Sequence, residues 1–223
     1  MIRLSRFQRL ALLAASTTVI TGGVLLPGSA FAAPAPQNAT VATAGVAAAP
    51  QWAQTTDAPS GISVQLPGKA EVEKSVEDGV HSRVYVVQTD YGAIAFAVEE
   101  VPGTDPDTPW DLKRTLKANV DEYNKDSKSA KNRIRAADVR QSTTADGARE
   151  LHADLVADDG TTGHVRFVDH GQYLVTVLTL SAGGQEDLMD EDHRRVLDSV
   201  EVPDKDAGQA GRTPESTEAP RSV

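Results

Sequence analysis

Between His152 and His170 the chain carries His152, His164 and His170, three of its five histidines, together with Asp154, Asp158, Asp159 and Asp169. Imidazole and carboxylate are the side chains that ligate divalent transition metals and exchange protons near neutral pH. Such a cluster raises a metal-binding or acid/base reading, with His152, Asp154 and His164 as the ligand set. A second reading needs no chemistry. Asp-Asp-Gly at 158–160 and Asp-His-Gly at 169–171 are turn sequences, and turns favour Asp and Gly for backbone reasons.

Strand pairing discriminates between the two. With a loop centred on Gly160, Leu155 faces Val165 and Ala153 faces Phe167 on one side of the sheet, while Asp154 faces Arg166 and Val156 faces His164 on the other. On that register His152, Asp154, His164 and Arg166 are the surface candidates for binding. Asp154 with Arg166 is then an ion pair worth under about 1 kcal/mol where exposed. No metal and no cofactor is expected, because the three metal-ligating groups would have to converge from diagonal positions and a protein metal site generally takes three or four ligands. The alternative function is a metal-assisted hydrolase using His152, Asp154 and His164 on the 148–169 hairpin. Other catalytic signatures are missing: the sequence has no G-x-S-x-G elbow, no S-x-x-K followed by K-T-G, and no H-E-x-x-H. A calcium loop over GTDPDTPWD, 103–111, fails on Pro106 and Pro109, on the missing sixth-position Gly, and on Leu116 where Glu is needed.

The elements that must position these residues read from periodicity. Ile62, Val64 and Leu66 alternate with polar residues, as in a strand buried on one face. Asp78-Gly79 between 71–77 and 80–89 is a two-residue hairpin signal, since its inner positions need positive φ. In AIAFAVEEV, Ile94, Phe96 and Val98 share one face and Ala93, Ala95 and Ala97 the other, a small face suited to close packing. A helix is expected over 109–124, capped by Thr108, with Pro109 at its first position and a stripe of Leu112, Leu116, Val120 and Tyr123. Strands near 134–141, 148–157, 163–169 and 172–181 follow. A last helix over 185–199 has acids first and Arg194-Arg195 later, matching its dipole, with Leu188, Met189, Val196 and Val200 inward. The fold class is α+β: an antiparallel sheet of six to eight strands with helices packed on it.

Residues 1–32 read as a Sec-type signal peptide, with Arg3, Arg6 and Arg9, an apolar run over 10–26 and Ala30-Phe31-Ala32 before the cut. Residues 33–58 form an Ala/Pro-rich tether, 59–203 the domain, and 204–223 a polar disordered tail. The product is an exported, bacterial-type chain with no stable membrane anchor once the signal is removed. Absence of cysteine excludes disulfides, thiolate metal sites and a lipid-bearing cysteine. Loss of the signal leaves 19 Lys+Arg against 32 Asp+Glu, about −13, which repels phosphate backbones and makes nucleic acid an improbable partner. A protein or a small molecule is the expected partner, of unknown identity.

Three stretches carry a family resemblance: Gly61-Ile-Ser-Val-Gln-Leu-Pro-Gly-Lys69 at the entrance, Gly171-Gln-Tyr-Leu-Val-Thr-Val-Leu-Thr179 late on, and Val196-Leu-Asp-Ser-Val-Glu-Val202 at the exit. Over 60–203 the layout resembles the PsbP-like fold, the α/β/α sandwich of plant photosystem extrinsic proteins, DcrB-type bacterial envelope lipoproteins and a Ran-binding import factor. The resemblance implies a binding or assembly module rather than an enzyme and brings no catalytic motif with it. A fold of this kind leaves function to be argued from the site.

Overall fold

The structure, a computed structural model, describes residues 51–203 apart from 126 and 128. The expected signal peptide, most of the expected tether and the expected tail lie outside the described residues. In chain order the elements are β1 (Ala53–Thr56), β2 (Ser63–Leu66), β3 (Glu71–Glu77), β4 (Val80–Thr89), β5 (Gly92–Glu100), α1 (Leu112–Lys125), a short 3-10 turn (Ala130–Asn132), β6 (Ile134–Thr143), β7 (Arg149–Ala157), β8 (Thr162–His170), β9 (Tyr173–Ser181) and α2 (Glu186–Asp198).

Seven strands form one antiparallel sheet in the order β3-β4-β5-β9-β8-β7-β6. The first meander runs β3 to β5. The connection through α1 then carries the chain to the far edge, and β6 to β9 meander back until β9 pairs with β5. At the β3–β4 turn Asp78 and Gly79 both have positive φ, 48° and 79°, as an inward-twisting two-residue hairpin demands.

Period-two alternation sends each strand's side chains to two cores. Ala95 and Ala97 join Val84, Val86, Leu151, Ala153, Leu155, Val165 and Phe167 under α1, whose Leu112 and Leu116 are buried there. Ile94, Phe96 and Val98 point the other way, onto Val175 and Val177, beneath Met189 and Val196 of α2, Val64 and Leu66 of β2, and Ile62 just before it. The layers are helix, sheet, and helix with ribbon. In α2, Leu188 is exposed and His193 takes an inward position in line with Met189 and Val196.

Three expectations are corrected. The strand over Ile62–Leu66 does not enter the main sheet. It pairs with β1, formed by Ala53–Thr56 from the segment expected to be a tether, and Asp57 behind it is fully buried. The hidden anchor is ionic: Asp57 accepts from Arg83 Nε at 2.5 Å and Tyr85 OH at 3.0 Å, so a segment without apolar periodicity is tied to β4. The helix begins at Leu112, not at Pro109. Asp105 closes a turn on Asp107 and Thr108, the backbone N–H of Trp110 is held by Asp169 at 3.0 Å, and Asp111 caps the helix by accepting from Arg114 N–H at 3.1 Å.

One buried amide offers a test of packing. Asn119 of α1 has no hydrogen-bond partner for either amide atom, and it lines an apolar cavity with Leu116, Val120, Ile134, Leu155 and Phe167. Each unpaired buried polar group costs about 1–3 kcal/mol. Asn119→Leu, which keeps the number and branching of the side-chain heavy atoms and extends into the apolar cavity, should therefore raise the unfolding free energy by about 1–2 kcal/mol. Urea titration reads this as a higher midpoint at unchanged slope. A lower midpoint would mean that the amide is needed.

Candidate functional site

The β7–β8 hairpin has a register two residues away from the expected one. Ala153 faces Val165, Asp154 faces His164, and His152 faces Arg166. The loop is the reason. Ala157 N–H bonds to Thr161 O, leaving a three-residue loop of Asp158, Asp159 and Gly160, with Gly160 at φ 92°. A type I turn closed by a left-handed glycine centres the hairpin on Asp159 rather than Gly160. The faces are unchanged, since the slip is even. The partners are not.

The consequence is convergence. Asp154 Oδ1 lies 2.9 Å from His164 Nδ1 and 3.4 Å from His152 Nε2. One ligand atom from each of these three residues falls within 4.8 Å of the others, the only such His/Asp/Glu group of three or more among the described residues. The expected Asp154–Arg166 pair does not form; Arg166 instead bonds Glu150 through Nε at 2.7 Å and through Nη2. Arg166 therefore flanks the cluster as part of its own ion pair.

Helix α2 supplies what the sequence reading missed. Asp190 Oδ1 is 2.9 Å from His164 Nε2, so both ring nitrogens of His164 face carboxylates. One turn on, His193 is 4 % exposed, with Nδ1 3.1 Å from Thr179 Oγ1 of β9 and Nε2 buried without a partner. Its ring centre stands 5.2 Å from that of His164 and 6.1 Å from that of His152, and those two are 5.8 Å apart. The signal for His193 was present: four residues after Met189 and three before Val196, it stands on the apolar stripe of α2.

The electrostatics follow from these contacts. Burial, then the charges of His164 and His152, push the His193 imidazole down to about 3, so it is neutral near pH 7. Burial raises the Asp154 carboxyl, but hydrogen bonds from His164 and His152 outweigh it and hold the group below its ordinary value. Glu150 is likewise raised by burial and brought lower on balance by Ser142 and Arg166. Together Glu150, Asp154 and Asp190 surround two half-exposed imidazoles and one buried one, with Arg166 at the rim.

The remaining members of the sequence cluster go elsewhere. Asp158 pairs with Arg135 at 2.7 Å on the surface, and Asp159 shapes its own turn by accepting from Thr161 N–H. Asp169 is buried and holds Trp110, Gly171 and Arg149. His170 closes β8 beside the Pro106–Pro109 loop, in a polar cleft shared with Asp146 and Arg149. In the acidic start of α2, Asp192 accepts from Tyr91 OH at 2.6 Å. No helix among the described residues is long and apolar enough to cross a membrane.

No protein-family model matches the chain, and no curated protein matches it. Among solved structures, the fold is similar to the solution structure of cyanobacterial PsbP (CyanoP) from Synechocystis sp. PCC 6803, at a TM-score of 0.50 and 14% identity, over 73% of this chain and 99% of that one. The likeness spans the sandwich and speaks to fold. The chain has a PsbP-like fold, an antiparallel sheet between helical layers, and its His/Asp cluster stands where β7, β8 and α2 meet.

Proposed function

We propose that this protein is an exported, non-catalytic binding module of the bacterial cell envelope whose ligand is recognised at the His152, Asp154 and His164 face beside α2. Export rests on the signal-peptide pattern of residues 1–32, and the module reading is supported by the PsbP-like fold. The observation that carries the non-catalytic reading is the closure of the cluster on itself. A general base must be free to take a proton from water or substrate. Here each nitrogen of His164 is engaged by a carboxylate, Asp154 is shared by two imidazoles, and His193 lies buried under α2.

The hydrolase alternative has one observation in its favour, the convergence of His152, Asp154 and His164. A single assay separates the readings. The mature chain from Ala33 onward, tested with p-nitrophenyl acetate and p-nitrophenyl phosphate with and without added zinc, should give no turnover above the solvent rate. Turnover that disappears in His164→Ala would establish the hydrolase. Export is tested by fractionation: the chain should be found outside the cytoplasm with Ala33 at its N-terminus.

A further inference from the structure

We infer that the binding face is a zinc(II)-class metal site, closed by four ligands: His152 Nε2, Asp154 Oδ1, His164 Nδ1 and His193 Nε2. The inference rests on the binding-module reading and supplies its ligand class. Three features of the structure carry it, and none depends on the others.

The first is spacing. A metal bound at about 2.0–2.1 Å to each donor sets tetrahedral donor atoms roughly 3.3 Å apart and the centres of ligating imidazoles roughly 5 Å apart. The Asp154 oxygen lies 2.9 and 3.4 Å from the two facing nitrogens, and the three ring centres are 5.2, 5.8 and 6.1 Å apart. His152, Asp154 and His164 already bring one donor atom each within 4.8 Å of the others, while His193 Nε2 stands outside that group and must swing in to complete the set. The ion takes the place of the direct contact between His164 Nδ1 and Asp154 Oδ1.

The second is the outer ring of contacts. Ligating histidines nearly always donate their other N–H to a carboxylate, a carbonyl or a comparable acceptor, which fixes the tautomer and the ring plane. His164, ligating through Nδ1, has Asp190 at 2.9 Å from Nε2. His193, ligating through Nε2, has the hydroxyl of fully buried Thr179 at 3.1 Å from Nδ1. Both rings are thus held by the nitrogen that the site would not use.

The third is the orphan. His193 Nε2 is buried with no protein partner, in a ring 4 % exposed, where an unmade hydrogen bond is costly. A metal satisfies it. Two or more imidazoles with one carboxylate suit zinc and its first-row neighbours, whereas calcium and magnesium select oxygen donors. With four protein donors no position is left for a reactive water, in keeping with a binding site rather than a catalytic one.

The experiment uses the untagged mature chain, stripped with EDTA and titrated with zinc sulfate by calorimetry, with bound metal measured after desalting. One ion per chain at a Kd on the order of 1 µM or tighter is expected. His164→Ala should weaken binding at least about 100-fold, and Asp190→Asn roughly 10–100-fold as an orienting residue. His193→Gln, which keeps a polar side chain under α2, should weaken it at least about tenfold. His170→Ala, outside the cluster, should bind as the parent does, and magnesium should not compete. Cobalt(II) loading should give the intense visible bands of a tetrahedral ion, lost in His193→Gln. Circular dichroism of each variant shows whether it is folded. Weak or superstoichiometric zinc in the folded parent, or binding indifferent to His164→Ala, overturns the inference while leaving the binding-module reading in place. Stoichiometric zinc with ester or phosphate turnover keeps the site and overturns that reading.

Discussion

Replacing Asp57 with alanine should cost the fold about 3–5 kcal/mol, because it strips a buried guanidinium of its principal partner. Asp57 is fully buried and Arg83 is 6 % exposed. With Asp57 gone, Arg83 keeps one contact, Nη1 to Glu100 at 3.4 Å, and its Nη2 already lies buried without a partner. Tyr85 OH and Ser60 lose their acceptor in the same step. Against a total stability of about 5–15 kcal/mol for a domain of this kind, the loss decides whether the chain folds. The control is a double variant. Asp57→Leu with Arg83→Met removes both charges and should be markedly less damaging than either change alone, since breaking a buried pair costs more than replacing it. A double-variant loss equal to the sum of the two single losses would show that the pair is not coupled.

The same pair sets part of the acid sensitivity. Burial alone would raise the Asp57 carboxyl, but hydrogen bonds from Arg83, Ser60 and Tyr85 and the Arg83 charge hold it below its ordinary 3.8. A group whose folded value is depressed gives stability that is fully present above its unfolded value and is lost as pH falls through the folded one. The unfolding free energy should therefore drop below about pH 4, with a shallower drop in Asp57→Asn. An unchanged acid limb in that variant would assign the sensitivity to other carboxylates, such as Asp154 and Glu150.

Asp57 also shows where sequence reading ends. A lone acid among Thr, Pro and Ala carries no periodicity, and its partner is 26 residues away on β4. The sandwich, by contrast, was legible. Asp78-Gly79, the small face of β5, the apolar stripe of α1 and, Leu188 excepted, that of α2 each state a local preference that the tertiary structure keeps. The candidate site stands between these cases. Alternation placed His152, Asp154, His164 and Arg166 on one face, and they are on one face. Which of them touch was decided by whether Gly160 sits at the centre or at the end of its loop, and both loops fit the same residues. His193 lies 29 residues beyond His164 and on another element, so pairing rules could not reach it; the α2 stripe could.

Gly163→Ala should be the most damaging single methyl in the β7–β9 region, destabilising by about 3 kcal/mol or more. In an ordinary strand the change is favourable by roughly 0.5–1 kcal/mol, because alanine loses less backbone entropy on folding. Here a Cβ would stand 2.0 Å from the Thr179 carbonyl oxygen, 3.0 Å from its carbonyl carbon and 2.9 Å from Leu180 Cδ2. The leucine can turn aside; the backbone oxygen can yield only if β8 and β9 part by about an ångström. Both are interior strands of the sheet, so that movement loosens the ladder on either side. Gly147 is the comparator. Its φ of 88° makes alanine strained, but nothing lies within 4 Å, and the cost should stay near 1–2 kcal/mol. For a domain of about 150 residues the Gly163 variant should melt roughly 10 °C lower than the parent, and the Gly147 variant a few degrees lower. The reverse order would mean that strand spacing is softer than backbone conformation. The effect also reaches the proposed metal site: His164 follows Gly163, and Thr179, the residue that must move, holds His193. Gly163→Ala protein that remains folded should bind zinc more weakly than Gly147→Ala protein, because in a tetrahedral site a shift of an ångström at one ligand is half a bond length.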